Sequence, residues 1–224
     1  MFPRNLMFYV IAGIILFGLI GKVIFAWAQH KRKKRLREVA DELGLEYIED
    51  GQHSLFQSIS DFSLFRSGRR GKSSKMICGD TGELTIGVFD YSYVSGSSDS
   101  TKSYNQSVIA LLSDQIVLPR FNLQPQGILH SLISAFGVQD IDFEEHPEFS
   151  RLFFLQGEDE EGVRGFFDAE WIEFLTRFQG YCIEGKNGAL IFYRQNKQVH
   201  PDQIKDYLSK AYDFYGHITE RATN

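Results

Sequence analysis

A chain of 224 residues that is 43% hydrophobic and 14% aromatic has the apolar content of an ordered protein with one sizeable core, which excludes a disordered chain. Its net charge of −5 is unevenly spread: Arg4, Lys22 and the run Lys31, Arg32, Lys33, Lys34, Arg35 and Arg37 all precede Glu38, the first acid, and from there on 29 acids face 16 basic residues, a balance of −13. A region that acidic repels phosphate backbones, which argues against nucleic acid as a partner, and two cysteines, Cys78 and Cys182, are too few for a disulfide framework and lack the spacing of a zinc or redox motif.

From Leu6 to Ala28 the chain reads as a membrane-spanning helix, about 34 Å long against a hydrocarbon core of about 30 Å. Thirteen of these residues are Leu, Ile, Phe or Val, together worth roughly −4 to −8 kcal/mol on insertion against about +3 kcal/mol for a central lysine. Lys22 lies off-centre, where its stem can snorkel to the headgroups, and Tyr9 and Trp27 sit at aromatic-belt positions. Residues 1–30 are therefore expected to form an N-terminal transmembrane anchor. The basic cluster beyond it outnumbers Arg4 and the terminal amine, so the positive-inside rule puts the N-terminus outside and the C-terminal domain in the cytoplasm. Lys31, Arg32, Lys33, Lys34, Arg35 and Arg37 are expected to contact the bilayer, at about 1 kcal/mol per charge near an anionic surface. The competing reading is a secretory signal peptide cleaved after Ala26-Trp27-Ala28, although such a signal carries its positive charge before a shorter apolar stretch.

Residues 31–44 form the next unit. Leu36, Val39, Ala40 and Leu43 recur at helical spacing and Gly44 follows as a stop, which predicts a basic juxtamembrane amphipathic helix. Residues 45–224 are expected to make one soluble domain. Leu45 to Ile48 reads as a short strand, and Phe56 to Phe65 has no clean period. Arg66 to Lys75, rich in Gly, Ser and positive charge, reads as an exposed loop; Gly71-Lys72-Ser73 within it lacks the upstream glycine of a phosphate-binding loop. Leu84 to Val94 and Ser107 to Leu112 are strand candidates joined by a long polar hairpin tip.

Pro119 to Pro125 looks extended and leads into a helix with Ile128, Leu129, Leu132, Ile133 and Phe136 on one face. Leu152 to Leu155 is a short strand, and helices follow over Glu158 to Phe167 and Ala169 to Phe178, the second capped by Asp168. Tyr181 to Glu184 and Ala189 to Arg194 form a hairpin across Asn187-Gly188. A last helix starts at Pro201 and buries Ile204, Leu208, Ala211, Tyr215 and Ile218. Strands and helices mix without βαβ alternation, so the expected class is α+β with a mainly antiparallel sheet.

Two places hold unusual chemistry. Asp140, Asp142, Glu144 and His146 lie within a few positions of one another, with Glu145 and Glu148 beside them, and hard carboxylates plus an imidazole are the donors a divalent metal would take. Their order matches no EF-hand loop or His-Glu-x-x-His helix, and an acidic turn before a strand is the plainer reading, so no cofactor is expected. Asp90 interrupts the strand Val88-Phe89-Asp90-Tyr91. The apolar parity changes at Val88 and Phe89, and a bulge there is expected to turn Asp90 to solvent.

The N-terminal span, the basic helix ending LGLEY, the segment VFDYSY, and DIDFEEHPEFSRLFFLQGEDEEGVR together resemble a family of uncharacterised bacterial single-pass membrane-anchored proteins. The resemblance implies a bacterial inner-membrane protein and brings no activity, substrate or catalytic residue. Three functions remain open: a non-enzymatic interaction or sensory module at the cytoplasmic face, partnered by another membrane or membrane-proximal protein; a tethered metal-dependent hydrolase using residues 140–148; and a domain that responds to anionic lipid through the basic loop of Arg66, Arg69, Arg70, Lys72 and Lys75 together with the tether.

Overall fold

The structure is a computed structural model and describes residues 4–51, 53–96, 100–128 and 140–223. A single helix, α1 (Arg4–Leu43), runs through both the apolar stretch and the basic collar, with no break between residues 1–30 and 31–44. It is long and apolar enough to cross a membrane. Among the described residues nothing in the domain covers its apolar side chains: Phe17 is 81% exposed and Val23 68%. Such a surface needs a hydrocarbon environment. Its last turns are different. Leu36, Val39 and Ala40 are fully buried, and Gly44, at φ +68°, ends the helix as the sequence predicts.

Past that glycine come β1 (Glu46–Ile48), α2 (Ser54–Ile59), α3 (Ser63–Arg66), β2 (Arg69–Asp80), β3 (Thr85–Ser95), β4 (Lys102–Leu112) and β5 (Phe121–Pro125). Then follow α4 (Pro147–Leu152), β6 (Phe153–Gly157), α5 (Glu160–Phe166), α6 (Ala169–Thr176), β7 (Cys182–Lys186), β8 (Ala189–Tyr193) and α7 (Ile204–Thr223), with 3-10 turns at Gln126–Ile128 and Pro201–Gln203. The eight strands form one sheet in the order β1-β2-β3-β4-β8-β7-β5-β6. Every pairing is antiparallel, so the α+β class holds.

Both faces of the sheet are covered. Val88 and Ile109, paired across β3 and β4, point into the larger core with Leu36, Val39 and Ala40 of α1, Trp171 of α6 and Phe214 of α7. Their neighbours Phe89 and Val108 point into a second core with Leu55, Ile59 and Leu64 of α2 and α3. A central strand buried on both sides reads as a continuous apolar run, which is why β3 shows no polar alternation.

Three expectations change. Arg66 to Lys75 is not a loop, because β2 begins at Arg69 and pairs with β3 as far as Val94. Its polar composition reflects an exposed outer edge. The hairpin tip after β3 is shorter than the sequence implies, since β3 and β4 stay in register out to Ser95 and Lys102. And β3 carries no bulge: the register shifts are in β2, between Arg69 and Lys72 and between Ser74 and Ile77. The helix expected over Ile128 to Phe136 lies outside the described residues beyond the Gln126–Ile128 turn. In the last helix Phe214 is fully buried and Tyr215, expected there, is only half-buried; Asn187-Gly188 turns the β7–β8 hairpin with Gly188 at φ +78°, and Asp168 caps α6 by accepting from the Trp171 N–H at 2.9 Å, as the sequence predicts.

Candidate functional site

One stripe of α1, Gln29, Arg32, Leu36, Val39, Ala40 and Leu43, meets the sheet, and it turns from apolar to polar as it nears the membrane. The sheet changes with it, from Ile77, Ile86 and Val88 to Lys75 and Asp90. There Arg32 grips Asp90 with two parallel bonds, Nε to Oδ2 at 2.8 Å and Nη2 to Oδ1 at 2.7 Å, while its Nη1 donates to the Val199 carbonyl at 2.7 Å. The Ser107 hydroxyl donates to Asp90 Oδ1 at 2.9 Å and accepts the Val199 N–H at 3.0 Å. Lys75 Nζ stands 3.7 Å from Asp90 Oδ2 and donates to Gln29 Oε1 at 2.7 Å. With side-chain exposures of 13% and 7%, Arg32 and Asp90 form a largely desolvated bidentate pair supported by further bonds with Val199 and Ser107.

Asp90 is therefore buried, not turned to solvent. The parity change that pointed to a bulge is the signature of a strand covered on both faces, and the acid in it is the partner of a cation 58 residues earlier. The available signal was an acid sharing a face with Ile86 and Val88, which demands a partner if the strand is regular.

The rest of the basic collar is also turned largely to the domain. Arg35 bonds Asp202 at 2.6 Å, Glu42 at 3.0 Å and Glu38 at 3.1 Å; these bonds raise its pKa and, led by the Arg35 contact, lower those of Asp202 and Glu42. Lys33 and Arg37 both reach Glu49. Lys31, over the Trp27 ring at 5.5 Å, and Lys34, 4.0 Å from Glu38, are the two of the six left exposed with no close carboxylate bond. The expected lipid contact of Arg32 is thus replaced by an internal ion pair.

Among the described residues the acidic cluster brings no three ligand atoms within metal-binding reach, although Asp142, Glu144 and His146 border one cavity of about 760 Å³ with Arg164. Asp140 is half-buried and occupied, its Oδ1 accepting the Leu155 N–H at 2.8 Å and its Oδ2 the Gln126 amide at 3.1 Å, and burial raises its pKa. Asp142 and Glu144 are exposed, and His146 precedes α4 without a side-chain capping bond. Among the described residues the one trio of His, Cys and acid ligand atoms within 4.8 Å of each other is Glu46, His53 and Cys78. Within it His53 Nδ1 accepts the Leu55 N–H at 3.2 Å, which leaves the ring proton on Nε2 and no lone pair for a metal.

A second buried acid escaped the sequence reading. Glu184 on β7 is 1% exposed and accepts the Ser63 and Leu64 N–H groups at 2.5 and 2.9 Å, capping α3 from beneath. Burial pushes its carboxyl up to about 7 against those bonds.

These features define a class: an antiparallel α+β domain carried on a single long helix that is spliced into it by a buried ion pair. No family model matches the sequence and no curated protein does. The fold is similar to that in the crystal structure of the mycobacterial trehalose monomycolate transport factor A, TtfA, with a TM-score of 0.58 and 11% identity over 81% of this chain and 91% of that one. At that identity the likeness concerns the fold alone.

Proposed function

We propose that this chain is a non-enzymatic interaction or sensory module held at the cytoplasmic face of a bacterial inner membrane, with its N-terminus outside. The observation that supports it is the continuity of α1 from its apolar part into the sheet, with Arg32 locked onto Asp90. A flexible tether would let the domain diffuse freely. A helix fixed at both ends makes tilt or rotation of the span a movement of the whole domain, which a neighbouring membrane protein can set or sense. The fold neighbour's name, a transport factor, is compatible with an accessory role beside a membrane protein and supplies no substrate for this chain.

The test is photo-crosslinking in intact membranes, with probes at Val117 and Tyr212, the two large apolar side chains exposed on the domain among the described residues. A discrete adduct that weakens in an Arg32→Met chain is expected. Absence of any adduct above background at both positions refutes the module reading, and a reporter fused after Asn224 that is active only outside the cytoplasm refutes the orientation.

A further inference from the structure

α1 and the strands beneath it run along the same track. Leu36, Val39 and Ala40 share a core with Ile77, Ile86 and Val88, and nearer the span Gln29 and Arg32 meet Lys75 and Asp90. Nearer still, Phe25 and Gln29 border one cavity of about 310 Å³ with Ser74, Ser92 and Asn105. To move along α1 toward its apolar part is therefore to move toward Arg69 in β2, Ser95 in β3 and Lys102 in β4. Beyond Ser92, β3 continues to Ser95, about 10 Å further.

That end of the sheet is cationic. Phe62 to Gly79 contains Arg66, Arg69, Arg70, Lys72 and Lys75 and no acid, in a domain where acids outnumber bases. Lys75 is engaged by Gln29 and Asp90. Arg66, Arg69, Arg70, Lys72 and Lys102 are exposed, and among the described residues none of them pairs with a carboxylate. Arg69 Nη2 donates to the Gly96 carbonyl at 3.2 Å, and Lys102 lies over the Tyr104 ring at 5.1 Å. β1 pairs with β2 at Met76 to Cys78 and the chain after it, Glu49 to Gly51, covers β2 as far as Ser73, so Arg69 to Lys72 form an open edge among the described residues. Charged side chains, lysine above all, also protect an open edge. Over residues 62–79 and 92–105 the sequence holds six cations against the single acid Asp99, and that excess, on the end directed toward the bilayer, fits an anionic surface.

We propose that this free end of β2, β3 and β4 is a second membrane contact, with Arg66, Arg69, Arg70, Lys72 and Lys102 resting on anionic phospholipid headgroups of the bilayer that holds α1. The inference rests on the anchored reading above and adds a lipid preference to it. It also assigns the lipid contact of the domain to the sheet, since most of the helical collar is occupied by the domain's own acids.

The test places a donor fluorophore at Ser103→Cys in the full chain, where buried Cys78 and Cys182 leave one reactive thiol. The chain is reconstituted in vesicles of phosphatidylcholine alone or with about 30% phosphatidylglycerol, both carrying a trace headgroup acceptor. Energy transfer is expected to rise about twofold in the anionic vesicles, to fall in high salt, and not to rise in the R66Q/R69Q/R70Q/K72Q chain. Equal transfer in both membranes, or a variant indistinguishable from the parent, overturns the proposal. Failure of the chain to float with vesicles of either kind would instead overturn the anchored reading, and circular dichroism of the variant separates lost contact from lost fold.

Discussion

Replacing Arg32 by Met keeps the length of the side chain and removes its charge, so Asp90 stays 5% exposed without its bidentate partner. Breaking a buried pair from one side typically costs 3–5 kcal/mol, about the lower figure here because Lys75 remains at 3.7 Å and Ser107 still donates. At about 2–4 °C per kcal/mol for a chain of this size, the midpoint should fall by roughly 6–12 °C. Asp90→Leu alone should cost a similar amount, because it strands the guanidinium. The double variant removes both members of the bidentate pair and leaves Lys75 bonded to Gln29, and should recover at least about 2 kcal/mol of the sum of the two single effects. Guanidinium unfolding of the full chain in detergent, followed by the fluorescence of buried Trp171, measures all four corners of the cycle. Single losses below about 1 kcal/mol, or strict additivity, would show that the helix is not locked to the sheet by this pair.

Three further outcomes follow from other residues. The raised carboxyl of Glu184 stabilises the fold fully below its unfolded value near 4.5, and that contribution is lost as pH rises through about 7; it amounts to about 3 kcal/mol at most, so the stability difference between the parent and Glu184→Gln should change with pH across this window and be flat outside it. Asp61 behaves oppositely: burial raises its pKa, but the Lys186 and Arg120 bonds outweigh this and hold it at about 2, so its contribution is present above about 4 and disappears as pH falls toward 2, where Asp61→Asn should unfold at the same temperature as the parent. Gly68 sits at φ +70°, with an added Cβ only 2.4 Å from the Val94 carbonyl oxygen; Gly68→Ala should cost about 1–3 kcal/mol by thermal melting, and an unchanged midpoint would disprove the close approach of α3's exit to β3.

Local chemistry made much of this protein legible from the chain alone. Length, apolar content and the trailing cations marked α1 as an anchor, Asn187-Gly188 marked a hairpin, and Asp168 and Pro201 marked helix starts, because each depends on neighbours within a few residues. The loop assigned to Arg66 to Lys75 went astray for the opposite reason: an exposed edge strand is held by its partner β3 and needs no β-forming residues of its own.

The sequence by itself determined that an apolar helix precedes an acidic α+β domain, since burial of apolar side chains and the cost of charge in hydrocarbon act on composition and spacing. Only the tertiary structure decided where the charges go. Arg32 and Asp90, Glu184 and the start of α3, and Asp61 with Arg120 and Lys186 come from distant parts of the chain, and only the order of the sheet and the packing of helices on it bring them within bonding distance. Electrostatic partners are chosen by proximity in space, and that proximity is absent from a linear string.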